Sequence, residues 1–131
     1  MATIRHHVEI DRKPDEVWAL VTDSNAWTQW FPGMESVTVS DDGTSRTVAL
    51  GPGLELVEDI VTNDAELRRF QYRISGGPMP VEYHLGTIDV LPSGGGTLVV
   101  YSTEVLPGDA KAMMDPAIQA GAEGLKAHCE A

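Results

Sequence analysis

Residues 35–106 read as short runs of alternating apolar and polar side chains, cut repeatedly by turn-forming residues. Apolar positions two apart share one face of a strand but scatter around a helix, so this stretch must fold as sheet. "ESVTVS" runs into Asp42-Gly43, a hairpin signal, and "SRTVALG" is its return strand. "LELVEDIVTN" and "LRRFQYRIS" are joined through "DAE". "VEYHLGTIDVL" and "TLVVYSTEVL" flank the Pro92-Ser93-Gly94-Gly95-Gly96 loop. Residues 3–11, "TIRHHVEID", add a further strand with Ile4, His6, Val8 and Ile10 on one face. Seven strands with short connections predict a largely antiparallel meander.

The remaining segments read as helices. In "KPDEVWALVTD", Pro14 suits a first helical position, acids follow it, and Val17, Leu20 and Val21 lie at helical spacing. Ser24 or Asn25 can cap a second short helix through "AWTQWF", which Pro32-Gly33 stops. Beyond Pro107-Gly108, Met114, Ile118, Ala122, Leu125 and Cys129 form one apolar stripe. Asp115-Pro116 reads as the N-cap and first residue of that last helix, with "AKAMM" as a separate turn before it. The expected class is α+β, a single domain over residues 1–131 in which one amphipathic helix covers one face of a curved sheet.

Composition narrows the function. Nine Lys and Arg against twenty Asp and Glu give a formal net charge of −11. Such a surface repels phosphate backbones and anionic bilayers, so neither nucleic acid nor a membrane is an expected partner. No apolar run is long enough to span a bilayer and no leader precedes the first strand, which makes the cytoplasm the expected location. The lone Cys129 excludes an intramolecular disulfide and a cysteine-rich metal site. Adjacent His6 and His7 on a strand point to opposite faces, and His84 and His128 add no motif. No metal and no cofactor is expected. Self-association into a homodimer stays open.

Residues 15–34, "DEVWALVTDSNAWTQWFPGM", hold all three tryptophans and one of the two phenylalanines. Together with "LELVEDIVTND", "RRFQYRISGGPMPVEYHLGTIDVLPSGGGT" and the final "GLKAH", this stretch resembles the START-like or SRPBCC superfamily, the helix-grip fold. It is most similar to the polyketide cyclase/dehydrase branch. The resemblance covers nearly the whole chain. It implies a seven-stranded antiparallel sheet curled around the C-terminal helix, a hydrophobic cavity between them, and two short helices closing one end. Cyclases, lipid carriers, hormone receptors and co-chaperone activators share this fold, so it does not fix activity. Glu82 and His84 stand where members of the superfamily often carry an arginine and a tyrosine after the "GP-x-P" turn.

The implied cavity has Trp27, Trp30 and Phe31 at its rim, with Trp18 on the body of the domain. His6, Phe70 and Tyr83, together with Met114 and Ile118 of the last helix, complete the expected ligand-binding set. Alternation puts Glu58 on a face with Leu54, Leu56 and Ile60, Tyr72 with Phe70 and Ile74, and His84 with Ile88 and Val90. A carboxylate on an apolar face is either paired, here with Arg46 or Arg69, or has the raised pKa of a general base. Glu58 or His84 is thus a candidate base, and Tyr72 or Tyr83 a candidate donor to a developing enolate. Structural roles for the same histidines and tyrosines remain open, and a bulge would exchange the faces of Tyr83 and His84.

Binding of a small hydrophobic, lipid- or polyketide-like molecule by a carrier or sensor is the leading expectation. A cyclase/dehydrase-like enzyme using Glu58, His84 and Tyr72 as catalytic groups is the alternative. A co-chaperone-like interaction module, its cavity filled by side chains, is the second.

Overall fold

The strand segments pair into one seven-stranded antiparallel sheet. The computed structural model describes Met1 to Ala131. Its elements run β1 (Ala2–Ile10), α1 (Pro14–Thr22), a 3₁₀ turn (Ser24–Ala26), α2 (Trp27–Trp30), then β2 (Ser36–Val39) and β3 (Ser45–Ala49). β4 (Glu55–Asp64), β5 (Arg69–Gly76), β6 (Tyr83–Ser93), β7 (Gly96–Leu106) and α3 (Lys111–Glu130) follow. Strand order is β1-β7-β6-β5-β4-β3-β2, a meander to which β1 is added beside β7. This is the helix-grip architecture.

Period-two burial picks out the inner face. Ile4 and Ile10, Arg46 and Val48, Leu56 and Glu58, and Phe70 and Tyr72 are buried on successive strands. His84, Ile88 and Val90 of β6 and Val99, Tyr101, Thr103 and Val105 of β7 complete it. β6 pairs with β7 without interruption from Tyr83 to Ser93, so His84 faces inward and Tyr83 outward. The irregularities fall instead between β4 and β5, at Val57/Glu58 and Ile60/Thr62.

α3 packs closely on β1, β7 and α2, while Trp27 of α2 lies against Arg46 of β3 and Phe70 and Tyr72 of β5. Ile118, Ala122 and Leu125 are buried on its inner side. The helix begins at Lys111, not at Asp115-Pro116, and Pro116 lies in its interior. Pro116 is exposed and its missing N–H forfeits one backbone bond near the helix start. Burial of Met114 and the hydrogen bond from His6 Nε2 to Asp115 Oδ1 (2.7 Å) hold the extra turn in place.

Two glycines let α3 approach α2. A Cβ on Gly124 would stand 2.1 Å from the Trp30 carbonyl oxygen, and one on Gly121 would stand 2.8 Å from the Phe31 ring. Residues that weaken an isolated helix are thus what allow this one to dock.

Candidate functional site

Between α3 and the concave face of β4–β6 lies a cavity of about 490 Å³, partly open to solvent. Met113, Met114, Ala117 and Ile118 form its helical wall. Leu50, Leu54 and Leu56 come from the β3–β4 side, Pro78, Met79 and Pro80 from the β5–β6 connection, and Phe31 from the end of α2. Glu58 of β4, Tyr72 of β5 and His84 of β6 are the only polar side chains in the lining. Period-two alternation on three neighbouring strands puts them on the one concave face.

Each polar group is already engaged. The β5–β6 ladder ends at the Tyr72–Gly86 pair, and beyond it the His84 side chain takes over: Ile74 N–H donates to His84 Nδ1 at 3.0 Å. A neutral imidazole with an acceptor at Nδ1 carries its proton on Nε2. Burial pushes the His84 pKa down to about 4, so the ring is a neutral donor at neutral pH.

Arg46 Nε donates to Glu58 Oε1 at 3.0 Å, and Arg46 Nη1 donates to Ser24 Oγ at 3.3 Å. Burial raises the Glu58 carboxyl above the ordinary carboxylate range, and Arg46 opposes that shift. A guanidinium keeps its proton at any physiological pH. No other carboxylate pairs with this one, so Glu58 is its ionised counter-charge.

The Tyr72 and Tyr101 hydroxyls hydrogen-bond to each other. Burial pushes both phenols well above their ordinary pKa. Two hydroxyl protons and one shared bond leave one proton over, and Tyr72 is the member of the pair that lines the cavity. The Tyr72 ring lies over Gly86, where a Cβ would come within 2.6 Å of it.

Phe31, Met114 and Ile118 of the expected ligand-binding set line the cavity. Trp27, Trp30, Phe70, His6 and Tyr83 do not. α2 is a single turn, so Trp27 and Trp30 face inward as a layer behind Phe31, with ring centroids 4.4 Å apart. Trp27 Nε1 donates to the Val21 carbonyl, and its ring lies 3.9 Å from the Arg46 guanidinium carbon. Trp27 therefore serves as a platform for a buried cation. Phe70 is fully buried against Trp27 and Tyr72. His6 is turned to Asp115 of α3, and Tyr83 is 39% exposed on the outer face. Arg69, the other partner considered for Glu58, bonds Asp89 instead.

Tyr101 is the site residue that the reading from sequence passed over, and Arg46 entered it only as one of two possible partners for Glu58. Both had a signal: Arg46 alternates with Val48, and Tyr101 with Val99, Thr103 and Val105.

Known structures share this arrangement of sheet and helix. XoxI from Bacillus cereus is 25% identical over 99% of this chain and 96% of its own, with a TM-score of 0.91. A START superfamily protein from Mycobacterium smegmatis is 16% identical over 99% and 98%, with a TM-score of 0.82. The di-domain ARO/CYC protein BexL of the BE-7585A biosynthetic pathway matches 99% of this chain over 47% of its own, at 22% identity and a TM-score of 0.85. No curated protein matches by sequence. Residues 1–130 match the family described as polyketide cyclase/dehydrase and lipid transport. With a helix-grip sheet, a cavity beside its last helix and a family match along nearly its full length, the chain belongs to that polyketide cyclase/dehydrase and lipid-transport family.

Proposed function

We propose that the protein is a non-catalytic carrier or sensor of a small, largely apolar molecule held between α3 and strands β4–β6. One observation carries this reading: each basic group facing the cavity already has a protein partner. His84 Nδ1 accepts from a backbone amide that cannot give up its place, and Glu58 is bound to a buried guanidinium. A general base must be able to accept the substrate's proton near the working pH; Arg46 favours the ionised form of Glu58 over the protonated one, and His84 turns a donor, not an acceptor, to the cavity. What remains is an apolar wall with a few polar anchors, the usual make-up of a small-molecule site. The open volume argues against an interaction module with a side-chain-filled core.

Titration with the neutral dye Nile red tests the site. Saturable one-to-one binding is expected for the wild type and its loss for Ala117→Trp, since Ala117 is exposed at the cavity wall. Equal binding by both proteins would remove the site from this cavity. A bound molecule recovered unchanged after incubation supports the carrier. Conversion that stops in Glu58→Gln would instead establish the cyclase/dehydrase-like alternative.

A further inference from the structure

We infer that the molecule this cavity takes is uncharged and carries a hydroxyl that donates to the Glu58 carboxylate, and that carboxylic acids are turned away. The inference rests on reading the cavity as a ligand site and names the class of ligand.

The Arg46–Glu58 pair is lopsided toward the cavity. Arg46 is 1% exposed, held by Glu58, Ser24 and the face of Trp27, and it is absent from the cavity lining. Glu58 does line the cavity. Its protein hydrogen bond uses Oε1, which leaves Oε2 with lone pairs for a ligand. An entering molecule therefore meets an anionic oxygen in front and the compensating cation behind it.

A second carboxylate lodged against that oxygen would have to desolvate beside a like charge, and one of the two acids would need to hold a proton. The formal net charge of −11 opposes an approaching anion as well. A hydroxyl donating to Oε2 instead forms a charge-assisted hydrogen bond, stronger than a neutral one.

The other polar groups complete the match. His84 Nε2–H and the spare proton of the Tyr72–Tyr101 pair are donors, so they suit an oxygen that accepts. A hydroxyl does both, giving its proton to Glu58 and its lone pairs to a donor. A hydrocarbon would leave all of these groups without partners once water is displaced.

Three probes with one skeleton test this: para-phenylphenol, para-phenylbenzoate and biphenyl, measured by equilibrium dialysis against the full chain at neutral pH. The phenol is expected to bind at least about tenfold more tightly than either of the others. The double variant Arg46→Met/Glu58→Gln removes both charges together and leaves neither buried alone. It is expected to bind the phenol and the benzoate alike.

A benzoate that equals the phenol on the wild type overturns the inference. Biphenyl equal to the phenol removes the hydroxyl requirement but leaves the cavity a ligand site. Failure of all three to bind overturns both readings. Full discrimination retained by a folded double variant would show that Glu58 does not set it; if that variant does not fold, the wild-type comparison decides alone.

Discussion

His84 is a histidine that titrates well below its usual range because of where its neighbours put it. It accepts from Ile74 N–H and gains its proton at about pH 4, against 6.5 for an unperturbed ring. Between those values the unfolded chain holds the extra proton and the folded one does not. Stability therefore rises with pH across the window and falls as a neutral solution is acidified, by on the order of 3 kcal/mol in full. Glu58, raised by burial, contributes with the opposite sign in acid. The measurement is therefore the difference in urea-unfolding free energy between wild type and His84→Gln at a series of pH values. That difference should shrink on acidification; a constant difference would mean that the ring is not buried neutral. The Arg46–Glu58 pair makes a second prediction. Arg46→Ala leaves a carboxylate buried alone and should cost about 3–5 kcal/mol, whereas Arg46→Met with Glu58→Leu should recover most of it. Equal losses in both would mean that packing of Arg46 on Trp27, not its charge, matters most.

At the scale of elements, the strands were legible because alternation and turn residues agree, and β1 through β7 fall where the pattern puts them. The start of α3 was not. Asp115-Pro116 is a sound local start signal, but burial of Met114 and the His6 contact outweigh the single bond that Pro116 forfeits. Trp27 and Trp30 were misplaced for a related reason. Their sequence shows a cluster but not its direction, which contacts of Trp27 with Val21, Arg46 and Phe70 from other segments set. Pairing of Arg46 with Glu58 was legible as one of two alternatives, but its contacts with Ser24 and Trp27 were not, because those residues come from other segments. Docking of α3 has its own test. Leu125 is fully buried between helix and sheet, so Leu125→Ala should cost roughly 2–5 kcal/mol by chemical denaturation. A cost near zero would mean that α3 does not pack on the sheet as described.

Over the whole molecule, the decisive feature is partial cover. The sheet is wide enough to curl, and α3 packs on β1 and β7 but is separated from β4–β6 by the cavity. The cavity therefore follows from the architecture and not from any one side chain, while its polar character comes from three residues on three adjacent strands. Family membership matches that division, since the fold is shared and the lining is this chain's own. Native mass spectrometry of freshly purified protein, followed by extraction, tests the central claim most directly. The account predicts a defined, neutral, mostly apolar adduct on the wild type and its absence from Ala117→Trp. An adduct retained equally by that variant would contradict it, as would a wild type that is bare and also fails to take up Nile red.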